Sequence, residues 1–435
     1  MKKKIIQGKS NAGNPCVPFG GGAGNPKSSG RSALLWRKMI LVVIAAVASV
    51  CSAASFGRDS GTTYMKDALA PYVEKGELPG AVCILYNNGV AETTCIGYAD
   101  VAAKRPITVN DVFAQCSQTK GFCGVTVAML VEEGKIGLDD PVSKYLPEFK
   151  TLTYKAGRKG GVPILAKAKN TLTIRMCLNH TGGFDFELPG YHAMGGWSKR
   201  MPLRSVAAMA AALPLLFDPG TKMRYSNVGI DVGAAVVEVV TGKRWECFLK
   251  ERVLDPLGMK DTGFRPTDEQ LKTKMELYEV RNGRPAKWLW GKPSMQRPFN
   301  DDRVFPSAGA GLWTTAADQY KFYKMLMNLG VGDNGVRILK EETVKSLLAK
   351  SSCPKGKGMK GYSLGLDAPE VDGEDQWFGH AGARHSRCYV NWHKRQLKLW
   401  AIQHSGKACA WENARDKAAE KFFNAKFGNG KPDEP

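Results

Sequence analysis

Residues patterned as β-strand lie at both ends of this 435-residue chain, and the long stretch between them is patterned as helix. Near the start, 80–87 is an apolar run, Asn88-Gly89 is a hairpin turn signal, and 90–98 continues as a second strand. Near the end, 376–403 alternates strand-like runs with turns: Trp377-Phe378-Gly379-His380, Cys388-Tyr389-Val390-Asn391-Trp392 and Leu397-Lys398-Leu399-Trp400-Ala401-Ile402. Two hairpin strands and three or four closing strands hide their apolar faces most simply by pairing with each other. The expected fold is therefore α+β: an antiparallel sheet flanked by an N-terminal helix near 62–75 and a C-terminal helix near 411–424, with a mainly helical domain inserted at roughly 135–300. In the middle, the Gly/Lys stretch at 155–170 reads as a surface loop. Phe322, Met325, Leu326 and Leu329 fall at helical spacing after a Thr315/Asp318 cap. Trp288, Trp290 and Phe299, in an irregular segment at 280–300, are placed either to wall a cleft or to pack locally. The chain contains no internal repeat.

The first 38 residues carry eight Lys or Arg and no acid, among Gly, Pro, Ser and Asn, the composition of a disordered extension. Met39–Val50 is an uncharged apolar run preceded by Arg37-Lys38 and followed by Cys51-Ser52-Ala53-Ala54-Ser55. A positive flank, a short apolar core and an Ala-ended site describe a signal peptide, residues 39–54, cleaved near Ala54. Extended to Phe56, the same run is the alternative of an uncleaved membrane anchor. The expected location is thus periplasmic or extracellular, with one hydrolase-sized domain over 55–435. Without the eight N-terminal charges the net charge falls from +21 to about +13. That balance gives a solvated cationic surface or, as the partner it implies, an anionic envelope polymer. The basic residues are dispersed and no nucleic-acid motif is present, so nucleic acid is excluded as a partner. Nine cysteines remain after Cys16 and Cys51, so an odd thiol is left over in a monomer. No Cys-x-x-Cys or His-Glu-x-x-His occurs, and His180, His192, His385, His393 and His404 have no ligand spacing; no metal and no cofactor is expected.

Three short motifs carry chemistry. Ser117-Gln118-Thr119-Lys120 opens a helix whose core, Val125–Val131, is apolar on nearly every side and stops at Glu132-Glu133-Gly134. Ser117 thus falls in the first turn of a buried helix, where free backbone N–H groups favour negative charge, with Lys120 on the same face. Tyr225-Ser226-Asn227 follows the turn signal Phe217-Asp218-Pro219-Gly220-Thr221 and precedes the apolar helix Val228–Val237. His380-Ala381-Gly382 lies in the closing strands, where Gly382 lets a ligand backbone approach the strand edge. Copies elsewhere have structural explanations: Ser352-Cys353-Pro354-Lys355 holds a proline, Tyr86–Asn88 runs into a hairpin turn, and Tyr389–Asn391 lies inside a strand. A serine hydroxyl needs a base, and lysine and tyrosine both titrate near pH 10 in water. In a desolvated pocket the ammonium favours phenolate and burial favours neutral amine, so Lys120 and Tyr225 form a coupled pair, either of which can take the Ser117 proton.

In order and context these motifs resemble those of the serine β-lactamase and penicillin-recognising enzyme superfamily. The similar branch comprises class C β-lactamases, D-Ala-D-Ala carboxypeptidases and related esterases. Leu172–Gly183, Phe217–Gly229 and Ala308–Asp318 are similar to further family segments, and the resemblance spans about 62–425. It implies a β-lactamase/transpeptidase-like fold, with Ser117 as nucleophile, Lys120 and Tyr225 handling its proton, and Asn227 orienting the substrate amide. It further implies an oxyanion hole from the N–H groups of Ser117 and Ala383, and substrate contacts along His380, Ala381 and Gly382. Two departures stand out. Ala381 replaces the residue, often Thr or Ser, whose hydroxyl binds a substrate carboxylate, and Ala383-Arg384-His385-Ser386-Arg387 replaces a glycine-rich run. Arg384 or Arg387 is positioned to restore anion binding or to be a solvated charge. The expected activity is an exported serine hydrolase acting through an acyl-enzyme on a D-amino-acid peptide, small ester or β-lactam. Ala381 tilts it toward esterase or peptidase. The alternative is a catalytically silent protein of the same fold that binds envelope peptides or a protein partner.

Overall fold

In the computed structural model, helix α1 (Tyr64–Glu74) leads into the hairpin β1 (Gly80–Asn87) and β2 (Val90–Asp100). Helix α2 (Thr119–Glu132) follows, then the hairpin β3 (Thr153–Lys159) and β4 (Val162–Lys167). The middle of the chain supplies α3 (Leu203–Ala212), α4 (Asn227–Thr241), α5 (Ala316–Met327) and α6 (Glu341–Leu348). Strands β5 (Phe378–Ala381), β6 (Arg387–Asn391) and β7 (Gln396–Ala401) close the sheet before α7 (Ala410–Asn424). The structure describes residues 58–59, 63–188, 202–281, 284–287, 305–348, 361–368, 373–405 and 409–426. The basic extension, the expected signal segment 39–54, the serine motif copy at 352–355, and Trp288, Trp290 and Phe299 lie outside the described residues.

The two chain ends do share one sheet. Its seven strands run in the order Arg58–Asp59, β2, β1, β7, β6, β5, with Arg105–Pro106 beside β2. The junction is the antiparallel pairing of β7 with β1, Gln396 opposite Asn87 through Ala401 opposite Val82. β1 is central and buried on both faces, and its side chains alternate between two cores. Val82, Ile84 and Tyr86 face the main core with Phe122 and Phe322, and β7 sends Leu397 and Leu399 the same way. Ala81, Cys83 and Leu85 face the other side, joined by Trp400 and Ile402, against Met65 and Leu69 of α1 and Trp411 and Phe422 of α7. Each such large side chain removed from water contributes roughly 1.5–3 kcal/mol. A one-residue slip of register would exchange the two cores, so the pattern fixes the pairing.

Helix α2 lies inside the main core, with Thr119 through Leu130 all buried. Phe122 stacks on Phe322 of α5 with centroids 3.7 Å apart, which ties α2 to α5. It stops as expected: Gly134 takes a left-handed φ of 68°, and the Lys135 N–H reaches back to the Leu130 carbonyl. The Thr315 cap forms as well, its side chain accepting from the Asp318 N–H at 3.1 Å.

One expectation fails. The stretch read as a surface loop at 155–170 is mostly the β3–β4 hairpin, in register from Thr153 opposite Lys167 to Lys159 opposite Val162. Gly160 and Gly161, at φ 57° and 83°, provide the two-residue left-handed turn that such a hairpin needs. Main-chain bonds between Lys155 N–H and Leu215 O (2.9 Å) and between Leu215 N–H and Thr153 O (2.8 Å) clip its base to the body.

Among the described cysteines Cys83, Cys95, Cys116, Cys123, Cys177 and Cys388 are free thiols, and Cys247 is disulfide-bonded. Among the described residues no helix is long and apolar enough to cross a membrane.

Candidate active site

The nucleophile candidate sits at a forced turn. Phe113–Ala114 pairs with Trp313–Thr314, and Cys116–Gln118 then makes one 3-10 turn directly ahead of α2. Cys116 has a φ of 52°, a left-handed conformation that costs a side-chain-bearing residue of the order of 1–3 kcal/mol. The turn is held from behind: Thr119 Oγ1 donates to the Cys116 carbonyl at 2.6 Å, and buried Gln319 Nε2 donates to Gln118 Oε1 at 2.7 Å. Ser117 is left partly exposed, its hydroxyl close enough to the Tyr225 phenol to lower the phenol's pKa.

Lys120, one turn into the buried helix, has no exposed surface at all. Its Nζ donates to Asn227 Oδ1 at 2.7 Å and to the Gly309 carbonyl at 2.6 Å, and lies 4.5 Å from the centroid of the Tyr225 ring. Both acceptors are neutral. Burial lowers its pKa to about 7, opposed chiefly by the negative charge of Asp231. An amine with two N–H bonds so committed points its third tetrahedral position, a lone pair when neutral, elsewhere.

Asp231, which the sequence reading missed, explains why Gly309 stands where it does. It lies one turn beyond Asn227 on α4, and its Oδ1 accepts from Ser307 Oγ and from the Gly309 N–H, each at 3.1 Å. Burial raises this carboxyl to about 7. Gly309 leaves no room for a side chain, because a Cβ there would lie 2.7 Å from the Asn227 Cβ. A lysine, two neutral acceptors and one carboxylate a peptide away thus form a single buried network. The signal available was an aspartate inside the otherwise apolar run Val228–Val237.

Tyr225 is positioned by the loop entering α4. Ser226 caps that helix, accepting from the Gly229 N–H at 3.1 Å while donating to the Asp185 carbonyl at 2.7 Å. Burial pushes the Tyr225 phenol well above its ordinary range, partly offset by the nearby Ser117 hydroxyl. Phe186, 42% exposed, lies nearly parallel to Tyr225 at 6.0 Å and forms an apolar wall beside the phenol. Behind Tyr225 is His180, also unforeseen, at 4.5 Å between ring centroids and with a φ of 65°. Its Nδ1 accepts the Ser226 N–H at 3.3 Å, which fixes it as the Nε2–H tautomer, and burial drives its pKa far down.

The third motif arrives on β5, which packs against the Ser117 turn. Gly382 is required there: a Cβ would meet Ser386 Oγ at 2.4 Å and the Gln115 carbonyl at 2.5 Å. His380 differs from the expectation of a side chain that touches substrate. It is 3% exposed, and both ring nitrogens are occupied. Nδ1 lies 2.7 Å from the Ala381 carbonyl, which can only accept, so Nδ1 carries the proton and Nε2 accepts from the Tyr362 hydroxyl at 3.0 Å. Burial lowers its pKa, so the ring is neutral and braces the strand from within. Ala381 is half-buried at the strand end, and Ala383 is exposed in the following turn, its N–H near enough to Cys116 to lower the thiol's pKa against the burial that raises it. Ser117, Lys120, Tyr225 and Asn227 therefore form one cluster, with Ala381, Gly382 and Ala383 at its rim and His380 inside. Among the described residues no group of acidic, His and Cys side chains is arranged to hold a metal.

An antiparallel sheet backed by terminal helices, with a buried Ser-x-x-Lys helix opening at its edge, is the β-lactamase/transpeptidase-like architecture. Residues 65–396 match the Beta-lactamase family profile, and the chain belongs to that family. Protein Rv1367c of Mycobacterium tuberculosis is 31% identical over 282 residues, covering 62% of this chain and 68% of that protein. Protein flp of Staphylococcus aureus is 28% identical over 51% of this chain and 43% of its own length. Among solved structures, EstCE1, a hydrolase with promiscuous acyltransferase activity, superposes with a TM-score of 0.65 at 22% identity, over 82% of this chain and all of that one (100%). A D-stereospecific amidohydrolase from Streptomyces sp. gives 0.58 at 22% identity, over 82% and 97% of the two chains. These two similarities establish the shared fold.

Proposed function

We propose that the protein is a serine hydrolase that opens small esters or D-amino-acid amides through an acyl-enzyme on Ser117. The observation that carries this reading is Lys120: fully buried, bonded only to neutral acceptors, and titrating near pH 7 three residues from a serine that contacts a tyrosine. Near neutrality about half of Lys120 is the free amine, which is the condition for a general base. The phenol of Tyr225 stays protonated, so it relays rather than removes the proton. Ser117 Oγ attacks the carbonyl carbon, its proton passes to Lys120 along the Tyr225 hydroxyl, and the carbonyl π pair moves onto oxygen. The N–H groups of Ser117 and Ala383 hold that oxyanion. Collapse expels the alkoxide or amine, which takes the proton back from the pair, and water repeats the sequence to release the acid. Asn227, its carbonyl end bound to Lys120, offers the amide NH2 to substrate.

Among structural neighbours, a family VIII carboxylesterase and the D-stereospecific amidohydrolase bracket the same two substrate classes. Ala381 lacks a hydroxyl for a β-lactam carboxylate, and the exposed Phe186 beside Tyr225 suits an apolar acyl group. A silent binding protein has no use for a buried lysine held near pH 7. Export, by the segment at 39–54, is part of the same reading, as is attraction of the cationic surface to an anionic envelope polymer.

The test is labelling with a fluorophosphonate and a fluorescent penicillin, with intact-mass mapping of the adduct, beside Ser117→Ala. Wild type is expected to acquire one adduct at Ser117 and the variant none. Equal labelling of both proteins would end the proposal. Turnover of p-nitrophenyl butyrate, a D-Ala-D-Ala peptide and nitrocefin then ranks the substrate classes.

A further inference from the structure

The β3–β4 hairpin stands away from the body with both faces in solvent. Along Thr153–Lys167 only Tyr154 and Ala166, at its base, are even partly buried. Among the described residues there are eight exposed large apolar side chains, and three of them fall within four positions here: Val162 (66% exposed), Ile164 (48%) and Leu165 (51%). Isolated exposed apolar residues need no explanation, but a cluster on a projecting element marks a contact surface.

Pairing register sorts the hairpin's residues. Tyr154, Gly157, Ile164, Ala166 and Val162 share one face, with Lys159 at its tip. Lys155, Arg158, Leu165 and Lys167 share the other. The strands thus carry four cations and no acid, and from Phe149 to Phe184 the chain contains no Asp or Glu. Arg158 Nη1 donates to the Gly161 carbonyl at 3.2 Å, which holds one cation at the tip beside Val162.

These features select the occupant. A further β-strand is disfavoured, because the outer strand β4 carries Pro163, which has no N–H to donate, and ends in Lys167. A second copy of the hairpin would bring like charges together. A planar anionic surface with an apolar interior matches both the cations and the protruding Val162, Ile164 and Leu165. Long basic side chains reach headgroups while the apolar ones enter the acyl boundary. We propose that the β3–β4 hairpin docks this protein onto the surface of an anionic lipid bilayer, independently of any N-terminal anchor.

Hydrogen–deuterium exchange of the full-length chain with and without vesicles reads the hairpin locally, whatever the N-terminal segment does. Vesicles containing phosphatidylglycerol are expected to slow exchange across 157–165, and pure phosphatidylcholine vesicles are expected to leave it unchanged. Each basic residue at an anionic leaflet multiplies partitioning about fivefold, so Lys155→Gln/Arg158→Gln/Lys159→Gln should abolish the protection at moderate salt. Ile164→Ser/Leu165→Ser should weaken it while leaving ester turnover unchanged. Vesicle binding with no change at 157–165 places attachment elsewhere and overturns the proposal. So does equal protection by phosphatidylcholine, or protection retained in both variants. Protection by soluble polyglutamate but not by phosphatidylglycerol vesicles also overturns it, in favour of an acidic polymer.

Discussion

Asp231→Asn isolates the electrostatic part of the proposed mechanism. The carboxylate touches neither Ser117 nor Lys120; it accepts from the Ser307 hydroxyl and the Gly309 N–H, while the Gly309 carbonyl accepts a hydrogen bond from Lys120 Nζ at 2.6 Å. Asparagine keeps an oxygen for both donors and removes one negative charge. At an effective dielectric of about 20, a full charge about 7 Å from an amine would be worth about 2 kcal/mol, or between one and two pH units, which sets the scale for a carboxylate one peptide unit away. Asp231 itself titrates near 7, so it is only about half ionised where it matters, and about one unit is the expected change. The sign follows from its present influence. Asp231 favours the ammonium and so opposes the burial that lowers Lys120 to about 7. Without it the amine loses its proton at lower pH. The reaction requires the amine neutral, so kcat/KM for p-nitrophenyl butyrate rises with pH through an acid limb centred near 7 in wild type. In the variant that limb should sit about one unit lower, making the variant relatively more active at pH 6. Asp231→Ala, which also abandons both hydrogen bonds, should lose about 1–3 kcal/mol of stability per stranded donor. An acid limb that stays in place, or moves to higher pH, in a variant with wild-type melting behaviour would refute the assignment of Lys120 as base.

Three further outcomes follow from the same geometry. Tyr225→Phe removes the hydroxyl that faces Ser117 and should lower kcat by about 10²–10⁴ with little change in KM, measured by steady-state ester hydrolysis. Gly309→Ala places a methyl 2.7 Å from the Asn227 Cβ and should cost about 1–3 kcal/mol by urea denaturation, together with most activity, because the Lys120 acceptors move. Ala381→Thr restores a hydroxyl at the end of β5 and should raise the rate of acylation by penicillin relative to p-nitrophenyl butyrate by several fold in stopped-flow labelling, about the 1 kcal/mol of one hydrogen bond.

What the sequence made legible was whatever local periodicity encodes. Gly80–Asn87 and Gln396–Ala401 carry the alternation that assigns each face to its own core, so the pairing of the chain's ends was readable. The helix of Thr119–Glu132 announced itself by being apolar all round and stopping at Gly134. The hairpin at Thr153–Lys167 was misread because β-patterning reflects burial, and this hairpin is buried on neither face. His180 and Asp231 escaped for a different reason. Neither belongs to a short motif, and each acts through a group brought from far along the chain: Ser226 in one case, Ser307 and Gly309 in the other. His380 was located correctly on its strand, but the inward direction of its ring depends on Tyr362, eighteen residues away and without a sequence pattern of its own.

The division between interior and rim also accounts for the uneven drift of the three motifs. Lys120, Asn227, Asp231 and Gly309 lock one another inside the core, where losing any partner strands a polar group or a charge. The residues at 381–384 stand at a strand end and in the following turn, tied inward by the close packing at Gly382 and by the Arg384 carbonyl, which accepts from the His404 N–H at 3.3 Å. Substitution there changes what the cleft recognises without altering the proton chemistry of Lys120 and Tyr225. The proposed acylation centre is therefore compatible with the absence of a hydroxyl at Ala381. Specificity should be sought along the rim from Phe186 to Arg384, and reactivity in the pH response of a single buried lysine.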